Sequence, residues 1–136
     1  MPNNFEIRAR EKEGVTILDL NGRLVVGDPS VRLREAINND VAQGKKNVIL
    51  NLAGVDYIDS TGLGCMVICY TTLQKAGGTL KLLKLNKRNV ELLLLTKLST
   101  IFEIFGGEQD AVNSFFPERE IKRFDILDFV QQQKEG

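Results

Sequence analysis

The 136-residue chain contains no histidine, no tryptophan and only two cysteines. Ser-His-Asp and Cys-His catalytic arrangements need an imidazole as general base, so these enzyme classes are excluded. Two cysteines without histidine cannot complete a tetrahedral zinc site, and they do not make a disulfide framework. Neither a Gly-x-x-x-x-Gly-Lys phosphate loop nor a Gly-x-Gly-x-x-Gly fingerprint is present. We therefore expect no catalytic residue, no metal and no other cofactor.

The chain also lacks an excess of charge and a long apolar run. Its 18 basic and 18 acidic residues cancel, so no overall positive field attracts nucleic acid or an anionic membrane. The longest aliphatic run is "LLLL" at 92–95, far below the roughly 18 apolar residues that a membrane-spanning helix requires. The N-terminal "MPNNFEIR" has no basic segment followed by an apolar one, which argues against a secretory signal. We expect a cytoplasmic protein that binds neither nucleic acid nor membrane.

The first half of the chain shows strand patterns followed by a helix signal. "FEIRARE" alternates apolar and polar residues, and "VTILDLNG" follows after a Glu-Gly turn, which predicts a β-hairpin. "GRLVV" predicts a third short strand. "GDPS" predicts a helix with Asp28 as N-cap and Pro29 as its first residue. The nearly continuous apolar run "NVILNLAGV" is typical of a strand at the centre of a sheet.

From residue 46 onward, strand and helix patterns alternate, which predicts parallel strands joined by helical crossovers and an α/β fold. Helical spacing predicts a helix over 61–76, and "NKRNVELLLLTKL" predicts another that opens at Asn86. "TLKLLKL" and the short "IFEIF" predict strands, and "EQDAVNSFF" predicts the helix that closes the domain. With 136 residues and 43% hydrophobic composition, a single domain is expected.

The C-terminal segment carries its own apolar stripe. Its apolar residues recur at three-residue spacing, which is typical of an amphipathic helix. An apolar stripe has to be covered, and we expect it to dock onto its own domain. The sequence thus predicts one domain over residues 1–116 and a helical extension over residues 117–136. The stripe consists of Ile121, Phe124, Leu127 and Val130.

The segment "YIDSTGLG", residues 57–64, conflicts with local propensity. Gly62 and Gly64 stand at the start of the helix predicted from residue 61, where each glycine costs about 0.8–1.0 kcal/mol relative to alanine. A bare backbone at these positions would let a partner surface or a neighbouring helix approach closely. Ser60 is expected to be the helix N-cap, and a phosphate on it would lie at the positive end of the helix dipole. Segments that break local rules are expected to be functional or strained.

Other chemistry at nearby residues is disfavoured. Phosphorylation of Asp56, as in a response regulator, lacks the paired acids that would hold magnesium after the first strand. The Asp-Ser-Thr-Gly segment has one residue too many between Asp and Gly for an aspartic protease. Cys65 and Cys69 lie four residues apart on one predicted helix and could hold a metal or form a redox pair. We expect them instead to be packing residues, because free cysteine behaves as a buried hydrophobe.

Taken as an ordered set, several segments resemble the STAS domain of bacterial anti-sigma factor antagonists. The central segment is "VILNLAGVDYIDSTGLGCMV", with "LNGRL" upstream and with "GGTLKLLKLN" and "LLTKLSTIFEIF" downstream. The likeness covers residues 5 to about 115. The resemblance implies a mixed, mostly parallel sheet with helices packed largely on one side. Two features depart from the pattern. Val25 stands where many members carry an acidic or polar residue, so that Asp28 is the nearest acid, and the C-terminal extension is longer than a minimal domain needs.

The resemblance also implies a function. The unphosphorylated protein would bind a serine kinase that doubles as an anti-sigma factor, phosphorylation would release it, and a serine phosphatase would be the second partner. A monomer or weak dimer is expected. A small-molecule or nucleotide-binding STAS module and a scaffold in a signalling assembly remain alternatives. The implied phosphorylation site is Ser60, and the implied partner-binding residues are Asp59, Thr61, Gly62, Leu63, Gly64 and Asp28.

Overall fold

The structure is a computed structural model that describes residues 4–121 and 124–135. The strands are β1 (Glu6–Lys12), β2 (Val15–Leu24), β3 (Asn47–Ile58), β4 (Thr79–Leu83) and β5 (Ile104–Phe105). The helices are α1 (Asp28–Ala42), α2 (Ser60–Lys75), α3 (Lys87–Leu95), α4 (Glu108–Asn113) and α5 (Ile126–Glu135), with a 3-10 turn at Leu98–Thr100. Over these described ranges, no helix is long and apolar enough to cross a membrane.

Within the described residues, five strands form one mixed sheet in the order β1-β2-β3-β4-β5. β1 and β2 are antiparallel, which confirms the predicted hairpin, and the remaining neighbours are parallel. β3 is the central strand, as its continuous apolar run predicted. The third short strand predicted from "GRLVV" was wrong. β2 continues through Gly22 to Leu24 because two register irregularities let it stay paired with the long β3.

The two faces of the sheet carry different cores, because successive side chains of a strand point to opposite faces. On β3, Val48, Leu50 and Leu52 belong to the main core, which also contains buried residues of α1, α2 and α3. Ile49 points the other way, into a smaller cluster with residues of α4. The α/β fold with helices packed largely on one side is therefore confirmed.

The helix starts differ in how they are capped. α3 is capped as predicted, since the Asn86 side chain accepts a hydrogen bond from the Asn89 N–H at 2.8 Å. For α1 the predicted cap was wrong by one residue. Gly27 is the N-cap, with φ of 95°, a left-handed conformation that glycine adopts without strain, and Asp28 is the first helical residue. The Asp28 carboxylate instead lies 3.7 Å from the Arg32 guanidinium, one turn further along the helix.

The C-terminal segment packs on its own domain, as expected, and three of the four predicted stripe residues, Ile121, Phe124 and Val130, are partly buried. α5 begins at Ile126 rather than near residue 117, and Ile126, Phe129 and Val130 pack against the main core. Leu127, predicted to belong to the buried stripe, is 71% exposed. The three-residue spacing is wrong at Leu127, because the side chains of α5 that pack on the domain, Ile126, Phe129 and Val130, follow the helical spacing of three and four residues.

Deleting residues 118–136 is expected to lower the melting temperature by roughly 5–10 °C. The deletion exposes the part of the main core that Ile126, Phe129 and Val130 cover. Three partly buried apolar side chains contribute about 2 kcal/mol in total, which corresponds to a shift of this size in a domain of this length. Differential scanning calorimetry measures it. Phe129→Ser should reproduce part of the loss, whereas Leu127→Ser, a change at an exposed position, should leave the curve in place. An unchanged melting curve for the deletion would contradict this packing.

Candidate functional site

The predicted phosphorylation segment lies at the carboxyl ends of β2 and β3. These strands end side by side at Leu24 and Ile58, and the Asp59 N–H donates a hydrogen bond to the Leu24 carbonyl at 3.2 Å. α1 and α2 start immediately after the two strands. Two helix N-termini are thus brought to one edge of the sheet, which is where open α/β sheets place their binding crevices.

Asp59 is the N-cap of α2, not Ser60 as the sequence predicted. One carboxylate oxygen of Asp59 accepts a hydrogen bond from the Gly62 N–H at 2.7 Å, and the other accepts one from the Val26 N–H at 2.9 Å. Both Asp and Ser are good caps, and Asp wins here because its second oxygen also holds the β2–α1 connection. Asp59 therefore fixes the geometry of the segment from within the domain.

Because the Asp59 side chain caps α2, the Ser60 hydroxyl is not used as a cap. Ser60 is the first residue of α2 and is exposed. Among the described residues, its hydroxyl makes no hydrogen bond. A free hydroxyl at a helix N-terminus is accessible to a phosphoryl-transferring enzyme, and the unpaired N–H groups of the first turn favour the resulting negative charge.

Different features of the structure explain why glycine stands at positions 62 and 64. A Cβ on Gly62 would overlap the carbonyl oxygen of Leu24 and lie 2.8 Å from its carbonyl carbon, so the start of α2 can pack against β2 only without a side chain there. The sequence had attributed both glycines to a partner surface together with helix packing, and for Gly62 the domain's own backbone is sufficient. A Cβ on Gly64 would meet nothing within 4 Å. Gly64 is thus an exposed, bare position next to Ser60.

The other predicted partner-binding residues differ in how far their side chains are exposed to solvent. Thr61 is exposed beside Ser60, and Asp28 is exposed at the start of the neighbouring α1. Leu63 is buried in the main core, which corrects the expectation that its side chain belongs to a contact surface. The structure thus brings Ser60, Thr61, Gly64 and Asp28 to one accessible edge and leaves Leu63 beneath it.

Sequence reasoning missed three exposed apolar side chains in this region. Val26 is 65% exposed and follows β2, while Tyr57 precedes Asp59 at the end of β3. Ile68 is exposed on α2, one turn beyond Gly64. A helical projection could have found Ile68, because the buried residues Leu63, Met66 and Leu73 place it on the opposite side of the helix. Exposed apolar side chains around an accessible hydroxyl are typical of a protein contact surface.

Cys65 and Cys69 have the environment of packing residues. Both are buried in the main core, and the Cys65 thiol donates to the Ser30 carbonyl of α1 at 3.3 Å. The hydrogen bond with Cys65 and burial both raise the pKa of the Cys69 thiol, which keeps it protonated. A protonated, buried thiol such as that of Cys69 is a poor nucleophile and a poor metal ligand, and Cys65, whose pKa the hydrogen bond with Cys69 lowers, is only 3% exposed.

Changing both cysteines to Ala is expected to lower the free energy of unfolding by about 1–3 kcal/mol, while the folded variant still binds its partner. The substitution leaves small cavities between α1 and α2 and removes the Cys65 hydrogen bond. Urea denaturation measures the first effect, and affinity for the binding partner measures the second. A folded variant that no longer binds its partner at all would show that the thiols do more than pack, either in the contact itself or in redox chemistry.

Comparisons with known proteins converge on one family. The STAS domain model matches residues 6–111, more than half of the chain. The anti-sigma-B factor antagonist of Bacillus subtilis is 31% identical over 109 residues, covering 80% of this chain and 98% of that protein. The anti-sigma-B factor antagonist of Listeria monocytogenes is 32% identical over 119 residues, covering 82% and 97%.

A solved structure shows the same fold at lower identity. The crystal structure of an anti-sigma factor antagonist from Mycobacterium paratuberculosis superposes with a TM-score of 0.70 and 20% identity, covering 82% of this chain and 93% of that one. The α/β arrangement described above is therefore that of a known class of domains.

Proposed function

The chain belongs to the STAS domain family, and we propose that it is an anti-sigma factor antagonist whose binding is controlled by phosphorylation of Ser60. The two bacterial relatives that align over nearly their whole length carry the name of anti-sigma factor antagonists, which supports the general role. In the proposed cycle the unmodified protein binds an anti-sigma factor that is also a serine kinase. A serine phosphatase returns the modified protein to the binding form.

The exposed Ser60 hydroxyl is the observation that carries the proposal. Asp59 caps α2 and holds the β2–α1 connection, so Ser60 is available for modification while the segment around it stays fixed. A phosphate at this position adds about 1.5–2 negative charges and three acceptor oxygens. The helix end tolerates that charge in the free protein. In a close interface the same charge is poorly hydrated and faces the Asp59 carboxylate, so the complex dissociates while the fold survives.

The same proposal includes the expected type of protein, its location, its oligomeric state and its contact surface. The protein acts as a binding protein and not as an enzyme, in the cytoplasm, as a monomer or weak dimer. Its contact surface includes Asp59, Thr61, Gly64 and Asp28 beside Ser60. The switch lies in a domain over residues 1–116, with residues 117–136 as an extension.

Two linked measurements on native material test this function. Intact-mass analysis of protein purified from its own cells, followed by peptide mapping, is expected to find a phosphorylated fraction with the phosphate on Ser60. Pull-downs from the same lysate with Ser60→Ala and Ser60→Asp baits are expected to recover an anti-sigma factor kinase with the first bait only. Phosphate on another residue, or equal recovery of that kinase by both baits, would contradict the proposal.

A further inference from the structure

α1 and α2 pack side by side and leave a groove on the surface that faces away from the sheet. In that groove lies a cavity of about 130 Å³, lined by Arg34, Ile37, Asn38, Ile68, Cys69 and Thr72. Ile37 and Cys69 form a fully buried apolar floor, whereas Ile68 stands half exposed at the side. The cavity is similar in size to one of about 150 Å³ that holds a benzene molecule, so it has room for a single apolar side chain.

The rim of the cavity carries an unmatched positive charge. Arg34 is exposed and, in the part of the chain that the structure describes, forms no ion pair with an acidic side chain. Other arginines of this chain are paired, such as Arg10 with Asp19 at 2.7 Å and Arg119 with Glu13 at 2.8 Å. A free guanidinium presents a planar set of donors that matches a carboxylate.

The groove is continuous with the proposed phosphorylation site. Ser60, Gly64 and Ile68 follow one another at four-residue spacing on the exposed side of α2. Gly64 adds no side chain between them, and the space above it is open. A segment that lies over Ser60 can therefore run along α2 to the cavity without meeting an obstructing side chain at position 64.

We propose that this groove docks an amphipathic segment of the anti-sigma factor, which inserts one apolar side chain into the cavity and pairs a carboxylate with Arg34. The inference rests on the proposed function, because it names the contact that the same partner makes beyond Ser60. Insertion of an apolar face into a groove between helices is a common mode of peptide recognition. The apolar floor and the free Arg34 define the chemistry of the partner segment as one apolar and one acidic side chain.

This contact acts separately from the phosphorylation switch. Ile68 lies eight residues after Ser60, which is about 12 Å along the helix axis at a rise of 1.5 Å per residue. The distance exceeds the roughly 8 Å over which exposed charges interact at physiological salt. A phosphate on Ser60 is therefore expected to leave the apolar insertion beside Ile68 in place, and the effects of the phosphate and of Ile68→Ser on affinity are expected to multiply.

The test uses the full-length protein and the recombinant anti-sigma factor, with affinities measured by isothermal titration calorimetry. Ile68→Ser is expected to weaken binding at least about tenfold, because it removes the wall of the cavity. Arg34→Gln is expected to weaken binding several-fold and to reduce its salt dependence. Leu95→Ser is the matched control, since Leu95 is an 84% exposed apolar side chain at the end of α3, and it should bind like wild type. Melting curves of all three variants verify that each is folded.

The results distinguish the groove contact from the phosphorylation switch. The inference holds if Ile68→Ser weakens binding and Ser60→Asp weakens it further by the same factor as in wild type. It is overturned if Ile68→Ser and Arg34→Gln bind like wild type while Ser60→Asp still fails to bind, and the proposed function then stands. Self-association through the groove, seen as concentration-dependent shifts of α1 and α2 amide signals without partner, would also overturn it. If unmodified wild type binds no anti-sigma factor, the proposed function fails as well.

Discussion

Ser60→Asp is expected to weaken binding of the anti-sigma factor by more than about a hundredfold, which corresponds to a loss of about 3 kcal/mol. The substituted carboxylate enters a contact surface that already contains Asp59 and Asp28 and that loses water when the complex forms. The free protein should melt at or above the wild-type temperature, because a negative charge in the first turn of α2 is favourable by about 0.3–1 kcal/mol.

The matched controls for this prediction are Ser60→Ala and Ser99→Asp. Ser60→Ala should bind like the unmodified protein and should not respond to kinase and ATP. Ser99→Asp adds the same charge in the 3-10 turn Leu98–Thr100, away from the start of α2, and should leave affinity unchanged. Surface plasmon resonance with immobilised anti-sigma factor compares all four proteins. Tight binding by Ser60→Asp would rule out charge at this position as the switch.

Gly62→Ala is expected to destabilise the fold by more than about 3 kcal/mol, whereas Gly64→Ala should leave stability unchanged or raise it by up to about 1 kcal/mol. The first effect follows from the overlap of the added Cβ with the Leu24 carbonyl, which is backbone and cannot rotate away. The second follows because the added Cβ at position 64 meets nothing and alanine is the better helix former. Urea denaturation of the two variants gives the difference directly.

Substitutions at Gly64 are expected to affect binding and not stability, whereas substitutions at Gly62 are expected to affect binding only through stability. Gly64→Leu keeps the fold but places a side chain on the proposed contact surface, so it is expected to weaken binding at least about tenfold with an unchanged melting temperature. Loss of binding by Gly62 variants should follow their loss of fold. If Gly64→Leu binds like wild type, the bare position next to Ser60 has no role in recognition.

Much of the fold could be predicted because the periodicities are strong. The continuous apolar run of β3, the hairpin of β1 and β2, and the Asn86 cap of α3 each depend on local residue patterns that tertiary contacts did not override. The extension of β2 through Gly22 could not be predicted, because the pairing that sustains it comes from β3, more than twenty residues away.

The candidate site could be located from the sequence, but the role of each residue in it could not be predicted. Asp59 and Ser60 are both good caps, and only the position of the Val26 N–H, which Asp59 also binds, decides between them. Likewise, the two glycines look equivalent in the sequence, whereas Leu24 lies against Gly62 alone. Both distinctions depend on the end of β2 and the connection that follows it, which meet the start of α2 only in the folded domain.

The measurement that tests the switch most directly compares two forms of the wild-type protein. Protein phosphorylated on Ser60 by its kinase, with the site verified by peptide mapping, and unmodified protein are titrated against the same recombinant anti-sigma factor. The dissociation constant of the phosphorylated form is expected to be more than about a hundred times larger, at the same melting temperature. Equal dissociation constants for the two forms, or phosphate found on Thr61 or Ser99 instead of Ser60, would contradict the account.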